Sequence, residues 1–201
     1  DGAGSVSAVR RRPEIVLARH GETEWSRDGR HTGRSDIPLT EEGERQARAL
    51  RPALAGRDFA RVLVSPLGRA VETCRLAGLL DHAERTDALL EWDYGDYEGV
   101  TTREIRSERP DWVLWRDGCP NGETAADVAV RVDPLIAELR ALDGDAALFA
   151  HGHLLRVLAA RWIELDPEHG ASLVLTTGTL SALGWEHEWP ALTRWNAPVA
   201  G

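Results

Sequence analysis

Cysteine is scarce in this sequence of 201 residues: Cys74 and Cys119 are the only two, and neither sits in a CxxC pair or a zinc-type spacing. A disulfide framework is thereby excluded, and a reducing, cytoplasmic setting is expected. Positive charge is also in deficit, with 24 Lys+Arg against 33 Asp+Glu and a net charge of −9. A surface of that sign repels a nucleic-acid backbone, so nucleic acid is not an expected partner. Long apolar runs are missing. The longest have strand length and none follows Arg10, Arg11 and Arg12 as an export signal would require, so neither a membrane span nor a membrane partner is expected. Internal repeats and low-complexity segments are absent as well. What is there is length enough for one domain with a real core, expected over 14–201 behind a disordered tail at 1–13 to which no function is given.

Three short apolar runs organise that domain. Ile15-Val16-Leu17-Ala18 ends at Arg19-His20-Gly21, Arg61-Val62-Leu63-Val64 ends at Ser65-Pro66, and Ala146 to Ala150 ends at His151-Gly152-His153. Each reads as a buried strand that hands polar residues to the loop at its carboxyl end, where open α/β sheets keep their sites. Helical spacing at Ala47, Leu50 and Leu54 behind Thr40 predicts a capped helix to about Gly56. Further helices are predicted from about Gly68 to Leu80 with Arg69 in the first turn, from Glu123 to Leu142 with a break near Pro134, and from Leu154 to Trp162. Leu173 to Thr177 and Leu180 to Trp185, around Thr177-Gly178-Thr179, read as a terminal hairpin. From Leu89 to Gly122 aromatics crowd with turn residues, which suits either a cap over a pocket mouth, at 96–121, or a satellite hydrophobic cluster. Together these elements predict a three-layer α/β fold with a mostly parallel central sheet, an antiparallel edge, helices on both faces and a small cap. Trp112, Trp115, Trp189 and Trp195 could mark a homodimer contact or the core of that cap.

Against an acidic background, cations gathered at those strand ends are informative. Arg19, His20, Arg69 and His151 would converge on one edge of the sheet, and arginine offers a planar fork of donors that matches phosphate oxygens. A single Arg-His pair is more often a solvated corner. Five ordered blocks are not: Leu17 to Trp25, with Arg19-His20-Gly21-Glu22-Thr23; His31 to Thr40, with His31-Thr32-Gly33-Arg34; Ser65 to Thr73, with Ser65-Pro66-Leu67-Gly68-Arg69; Glu91 to Gly99, with Glu91-Trp92-Asp93-Tyr94; and Ala150-His151-Gly152-His153. With these blocks, which span nearly the whole chain, the sequence resembles the histidine phosphatase superfamily, also called phosphoglycerate-mutase-like. Glu91 to Gly99, together with Trp115 to Glu123, is most similar to the acid phosphatase and sedoheptulose-bisphosphatase branch.

That resemblance implies a phosphomonoesterase acting on small phosphorylated metabolites, sugar phosphates or bisphosphates foremost, with no metal and no cofactor. It implies His20 as the nucleophile, Arg19, Arg69 and His151 as holders of the non-bridging oxygens, and Glu91 as proton donor and then general base. By composition alone Asp93 and Glu98 compete with Glu91. Thr32 and Gly33 match the loop whose N–H groups meet substrate, and Tyr94 joins that set. Two departures stand beside them: Ser26 where the family commonly has Asn, and Arg34 where mutases often have Trp, either at the pocket mouth or simply solvated.

Other readings are weighed on the same residues. A cysteine phosphatase is excluded, since Leu80 and Ala125 stand where Cys-x5-Arg needs arginine. Metal chemistry is disfavoured because His151 and His153 have no carboxylate close by, and His153 reads as a helix-start or core residue. A cofactor-dependent phosphoglycerate mutase shares the five catalytic residues but carries a longer insertion than the 59 residues between Glu91 and His151. A catalytically silent phosphate-binding scaffold is the remaining alternative, and the presence of every key residue argues against it.

Overall fold

The computed structural model describes residues 11–199. Six strands, β1 (Ile15–Arg19), β2 (Phe59–Val64), β3 (Ala83–Arg85), β4 (Asp145–Ala150), β5 (Leu180–Glu186) and β6 (Trp189–Ala197), form one sheet in the order β3-β2-β4-β1-β5-β6. The first four strands run parallel, and β5 and β6 close the sheet as an antiparallel edge. The described helices are α1 (Glu24–Asp28), α2 (Glu41–Leu54), α3 (Gly68–Leu76), α4 (Thr102–Glu108), α5 (Leu114–Asp117), α6 (Ala125–Arg140) and α7 (Gly152–Trp162). Successive strand residues face opposite ways, so an apolar run needs cover on both sides. Ile15 and Leu17 accordingly pack into a core completed by α6 and α7, and Val16 and Ala18 into a second completed by α2 and α3. The three-layer expectation is met.

Register is what gathers the polar residues. Arg19 pairs with Ala150 and Val64 with Phe149, so His20, Ser65 and His151 each leave the sheet just beyond a common line at its carboxyl edge. The loop after β1 is then pressed onto the first turn of α2. A Cβ on Gly21 would stand 2.2 Å from the Gly43 carbonyl oxygen, and one on Gly43 would stand 2.1 Å from that of Glu22, so both positions require glycine. Thr40 caps α2 as expected, its Oγ1 accepting from the Gly43 N–H, and Thr73 of α3 accepts from the Gly21 N–H.

Several boundaries differ from those read in the sequence. α3 stops at Leu76 instead of Leu80, because Gly78 (φ 86°) turns the chain left-handed. Thr124 opens α6 through a reciprocal cap with Asp127, and the helix runs through Pro134 without a break. The terminal hairpin is displaced. Leu173 to Thr177 forms no strand; Gly178 donates its N–H to the Arg19 and His20 carbonyls, and β5 turns instead at His187 (φ 54°) into β6. Pro190 fits there because β6 is paired on one side only. α4, which was not foreseen, opens with a capping box between Thr101 and Glu104.

The 96–121 segment is not a satellite cluster, since Ile105, Trp112, Leu114 and Cys119 belong to the same core as β1, β4 and α6. Trp112 is buried and Trp115 packs half-buried against that core, whereas Trp189 is 64% exposed. Of the tail expected at 1–13, residues 1–10 lie outside the described residues. Arg11 pairs with Asp145, Arg12 lies over the Trp185 ring, and the Pro13 carbonyl accepts from Trp185 Nε1, so these three residues are tied to the domain. No described helix is long and apolar enough to cross a membrane.

Candidate active site

The carboxyl edge of the sheet, the first turn of α7 and the chain after Leu90 enclose a cavity of about 210 Å³ lined by Arg19, His20, Ser26, Thr32, Glu91 and Tyr94 among others. His20 is 4% exposed, and its Nδ1 lies 2.7 Å from the Gly21 carbonyl oxygen. A carbonyl only accepts, so the proton sits on Nδ1 and Nε2 carries the free lone pair. Burial, then the Arg69 and Arg19 guanidinium groups, hold this imidazole well below its ordinary pKa, hence neutral. The His151 ring lies edge-on to it, centroid to centroid 5.2 Å, with Nε2 2.7 Å from Ser65 Oγ. Burial, then Arg69, His20 and Arg19, likewise push the His151 pKa well down.

The two arginines are held by main-chain carbonyls. Arg19 Nη1 donates to Leu175, and the missing side chain of Gly152, the first residue of α7, leaves room for the guanidinium. Arg69 is 1% exposed; its Nη1 donates to Ser35 and its Nη2 to Thr32 and Gly33. Three of the five Arg69 N–H donors are therefore committed to the 32–35 loop, and Nε–H and one N–H of Nη1 are not. Among the described residues four buried side-chain polar atoms have no hydrogen-bond partner, and three of them, Arg19 Nε, Arg69 Nε and His151 Nδ1, gather near His20, although only Arg19 of these residues lines the cavity itself. Such an unpaired group costs about 1–3 kcal/mol unless a ligand meets it.

Glu91, 4% exposed, faces the first turn of α7. Its Oε1 accepts from the N–H groups of Trp92 and Leu154, at 2.9 and 2.8 Å, and its Oε2 from that of His153 at 3.1 Å. Those of His153 and Leu154 are amides that a helix leaves unpaired at its start. Oε1 has both acceptor directions filled, and Oε2 keeps one. Arg131 of α6, paired with Glu123, fixes the main chain here by donating to the carbonyls of Ala88, Leu90 and Glu91. The competing acids are elsewhere: Asp93 accepts from the Gly95 N–H, Glu98 from those of Gly33 and Ser35, and neither lines the cavity.

Of the residues expected to bind substrate, Ser26, Thr32 and Tyr94 line the cavity, although the Ser26 hydroxyl is engaged in the capping box of α1 with Thr23. The buried Tyr94 hydroxyl is 2.5 Å from His153 Nδ1, and burial, then the nearby Glu91, push the phenol pKa well up. Two of the expected residues lie outside the lining. Gly33 does not line the cavity and its N–H is taken by Glu98, and Arg34 is exposed and outside the lining, the solvated alternative. His153 does stand at the start of α7, yet it also lines the cavity, as do Arg30, His31, Thr102 and Arg156, which sequence reasoning missed. Gly152 and Arg156 share one helix face by i, i+4 spacing, a signal that would have found Arg156. No group of three or more His, Cys, Asp or Glu able to hold a metal occurs among the described residues.

Residues 15–198 match the profile of the histidine phosphatase superfamily, branch 1. The chain is 42% identical over 182 residues to an acid phosphatase of Mycobacterium tuberculosis, covering 88% of this chain and 89% of that one. It is 38% identical over 186 residues to the sedoheptulose 1,7-bisphosphatase of Saccharomyces cerevisiae, covering 76% of this chain and 68% of that one. The solved structure of an open reading frame from Mycobacterium tuberculosis superposes with a TM-score of 0.88 at 38% identity, over 92% of this chain and 98% of that one.

Proposed function

The chain belongs to the histidine phosphatase superfamily, branch 1, as a phosphatase, and we propose that it hydrolyses small phosphorylated metabolites, sugar phosphates or bisphosphates foremost, through a phosphohistidine on His20. The observation that carries this reading is the set of unpaired polar atoms, Arg19 Nε, Arg69 Nε and His151 Nδ1, beside a neutral imidazole. In the first half-reaction Nε2 of His20 attacks phosphorus in line, the P–N bond forms as the ester P–O bond breaks, and Glu91, a carboxylate in the free enzyme that takes up a proton from solvent as substrate binds, passes it from Oε2 to the leaving alkoxide. In the second, Glu91 takes a proton from water, which attacks phosphorus and releases His20. Charge on the non-bridging oxygens of the loose transition state is met by Arg19, Arg69 and the Nδ1–H tautomer of His151. A cavity of about 210 Å³ holds on the order of seven water volumes, room for a small metabolite and not for a polymer.

The test is phosphate release from sugar mono- and bisphosphates in EDTA, run beside His20→Ala and followed by rapid quenching. Release that depends on His20, with an alkali-stable and acid-labile phosphoenzyme, supports the reading. Isomerisation of 3-phosphoglycerate without release would make the chain a mutase, and silence in both assays a scaffold.

A further inference from the structure

His31 lines the cavity but has no part in the proposed chemistry. The side chain is 8% exposed, and its Nδ1 lies 2.6 Å from the Val100 carbonyl oxygen. A carbonyl accepts only, so Nδ1 holds the proton and Nε2 is an acceptor. Nε2 has no hydrogen-bond partner among the described residues, while the ring lines the same cavity as His20 and Glu91. Its orientation is fixed by packing: it meets Tyr94 and Trp112 edge-on at centroid distances of 4.9 and 5.7 Å and stacks on His153 at 6.4 Å. Burial lowers its pKa, so it stays an uncharged acceptor at neutral pH.

An acceptor is out of keeping with the arginines around it. Arg19, Arg30 and Arg156 line the same cavity and can only donate. A carboxylate or a second phosphate oxygen has no hydrogen to offer Nε2 and would set lone pair against lone pair. A hydroxyl donates to Nε2 and can accept from a neighbouring guanidinium at the same time. We propose that His31 is a specificity-determining residue that accepts a hydrogen bond from a hydroxyl on the esterified alcohol, selecting polyol and sugar phosphates over deoxygenated phosphates of the same carbon skeleton. The inference rests on the hydrolytic reading above and narrows its substrate class.

The experiment compares kcat/KM for glycerol 1-phosphate with n-propyl phosphate, and for erythritol 4-phosphate with n-butyl phosphate, in the wild type, His31→Asn and His31→Gln. Asparagine can keep a donor toward Val100 but has no atom where Nε2 stood, whereas glutamine places an amide oxygen there. The wild type is expected to prefer a polyol ester by about tenfold or more, His31→Asn to bring that ratio within about twofold of unity, and His31→Gln to keep most of it. No polyol preference in the wild type, or an equal ratio in wild type and His31→Asn, overturns the inference and leaves hydrolysis standing. A wild type that releases phosphate from no ester overturns the hydrolytic reading and this inference with it.

Discussion

Replacing Glu91 with glutamine probes two properties of one carboxyl group. The first is structural. If the glutamine oxygen takes the place of Oε1, the bonds from Trp92 and Leu154 survive, but the amide NH₂ then meets the His153 N–H, donor against donor. The reverse orientation saves one bond and loses two. The better choice forfeits one hydrogen bond to a charged acceptor, about 1.5–3 kcal/mol, and removes the negative charge at the start of α7, about 0.3–1 kcal/mol. A total near 2–4 kcal/mol in a chain of this length lowers the thermal midpoint by roughly 5–15 °C. Scanning calorimetry reads it directly, and a midpoint equal to that of the wild type would refute the carboxylate cap.

The second property is chemical, and it is measured well below that midpoint so that folding does not enter. General acid catalysis contributes about 10²–10⁴ in rate when the leaving group is a poor one. An alkoxide needs the proton; p-nitrophenolate leaves without it. Glu91→Gln is therefore expected to slow an alkyl phosphate far more than p-nitrophenyl phosphate in single-turnover formation of the phosphoenzyme. Equal losses on both esters would refute Glu91 as proton donor, whatever the calorimeter shows.

Acidification should destabilise the fold from about pH 6.5 downward. His20, His151 and His153 are held well below the ordinary imidazole pKa, chiefly by burial, so below that pH the unfolded chain binds protons that the folded one refuses. Stability is complete above the unfolded pKa and falls by up to roughly 1.4 kcal/mol per pH unit for each histidine, and guanidinium midpoints that do not fall between about pH 7 and 5.5 would contradict this. Gly43→Ala sets two effects against each other: helix propensity favours alanine by about 1 kcal/mol, but a Cβ 2.1 Å from the Glu22 carbonyl should destabilise by about 1–3 kcal/mol net. A more stable variant in urea unfolding would show that the close approach is relieved at no cost. Glu98→Ala releases the N–H groups of Gly33 and Ser35 and with them the loop that holds Arg69, so inorganic phosphate should bind about tenfold more weakly by calorimetric titration, with unchanged affinity as the contrary result.

Features legible in the sequence are those whose cause is local. An apolar run ending in Arg19-His20 or His151 announces a buried strand and its carboxyl-end loop within a few residues, and β1, β2 and β4 stand where those runs predict them. The N-cap at Thr40 is equally local. Features that escaped depend on partners far along the chain. Gly33 sits in a recognisable loop, yet its N–H is claimed by Glu98, 65 residues on, and Arg69 gives its fork to carbonyls more than 30 residues before it. β6 escaped because Thr177-Gly178-Thr179 has the composition of a hairpin turn, while Gly178 is in fact docked onto the end of β1. His31 carried no mark beyond its place before Thr32, since its acceptor nitrogen is defined by a bond to Val100, 69 residues away.

The way Glu91 is held bears on why the arginines remain open. Burial lowers the pKa of Arg19 and Arg69, and Glu91 is the first group that opposes this in both. In a low-dielectric site the obvious relief is a direct ion pair, which would join a guanidinium to the carboxylate and close the pocket against phosphate. Three main-chain N–H groups at the start of α7 and beside it satisfy the carboxylate instead, while carbonyls of Leu175 and of the 32–35 loop hold the guanidinium groups. Neutral acceptors leave the positive charge of the arginines uncompensated, and neutral donors leave the negative charge of Glu91 likewise. The charges are thus kept apart by the backbone, at the expense of stability, and under the proposed function a phosphate dianion would supply the counter-charge that the fold withholds from Arg19 and Arg69.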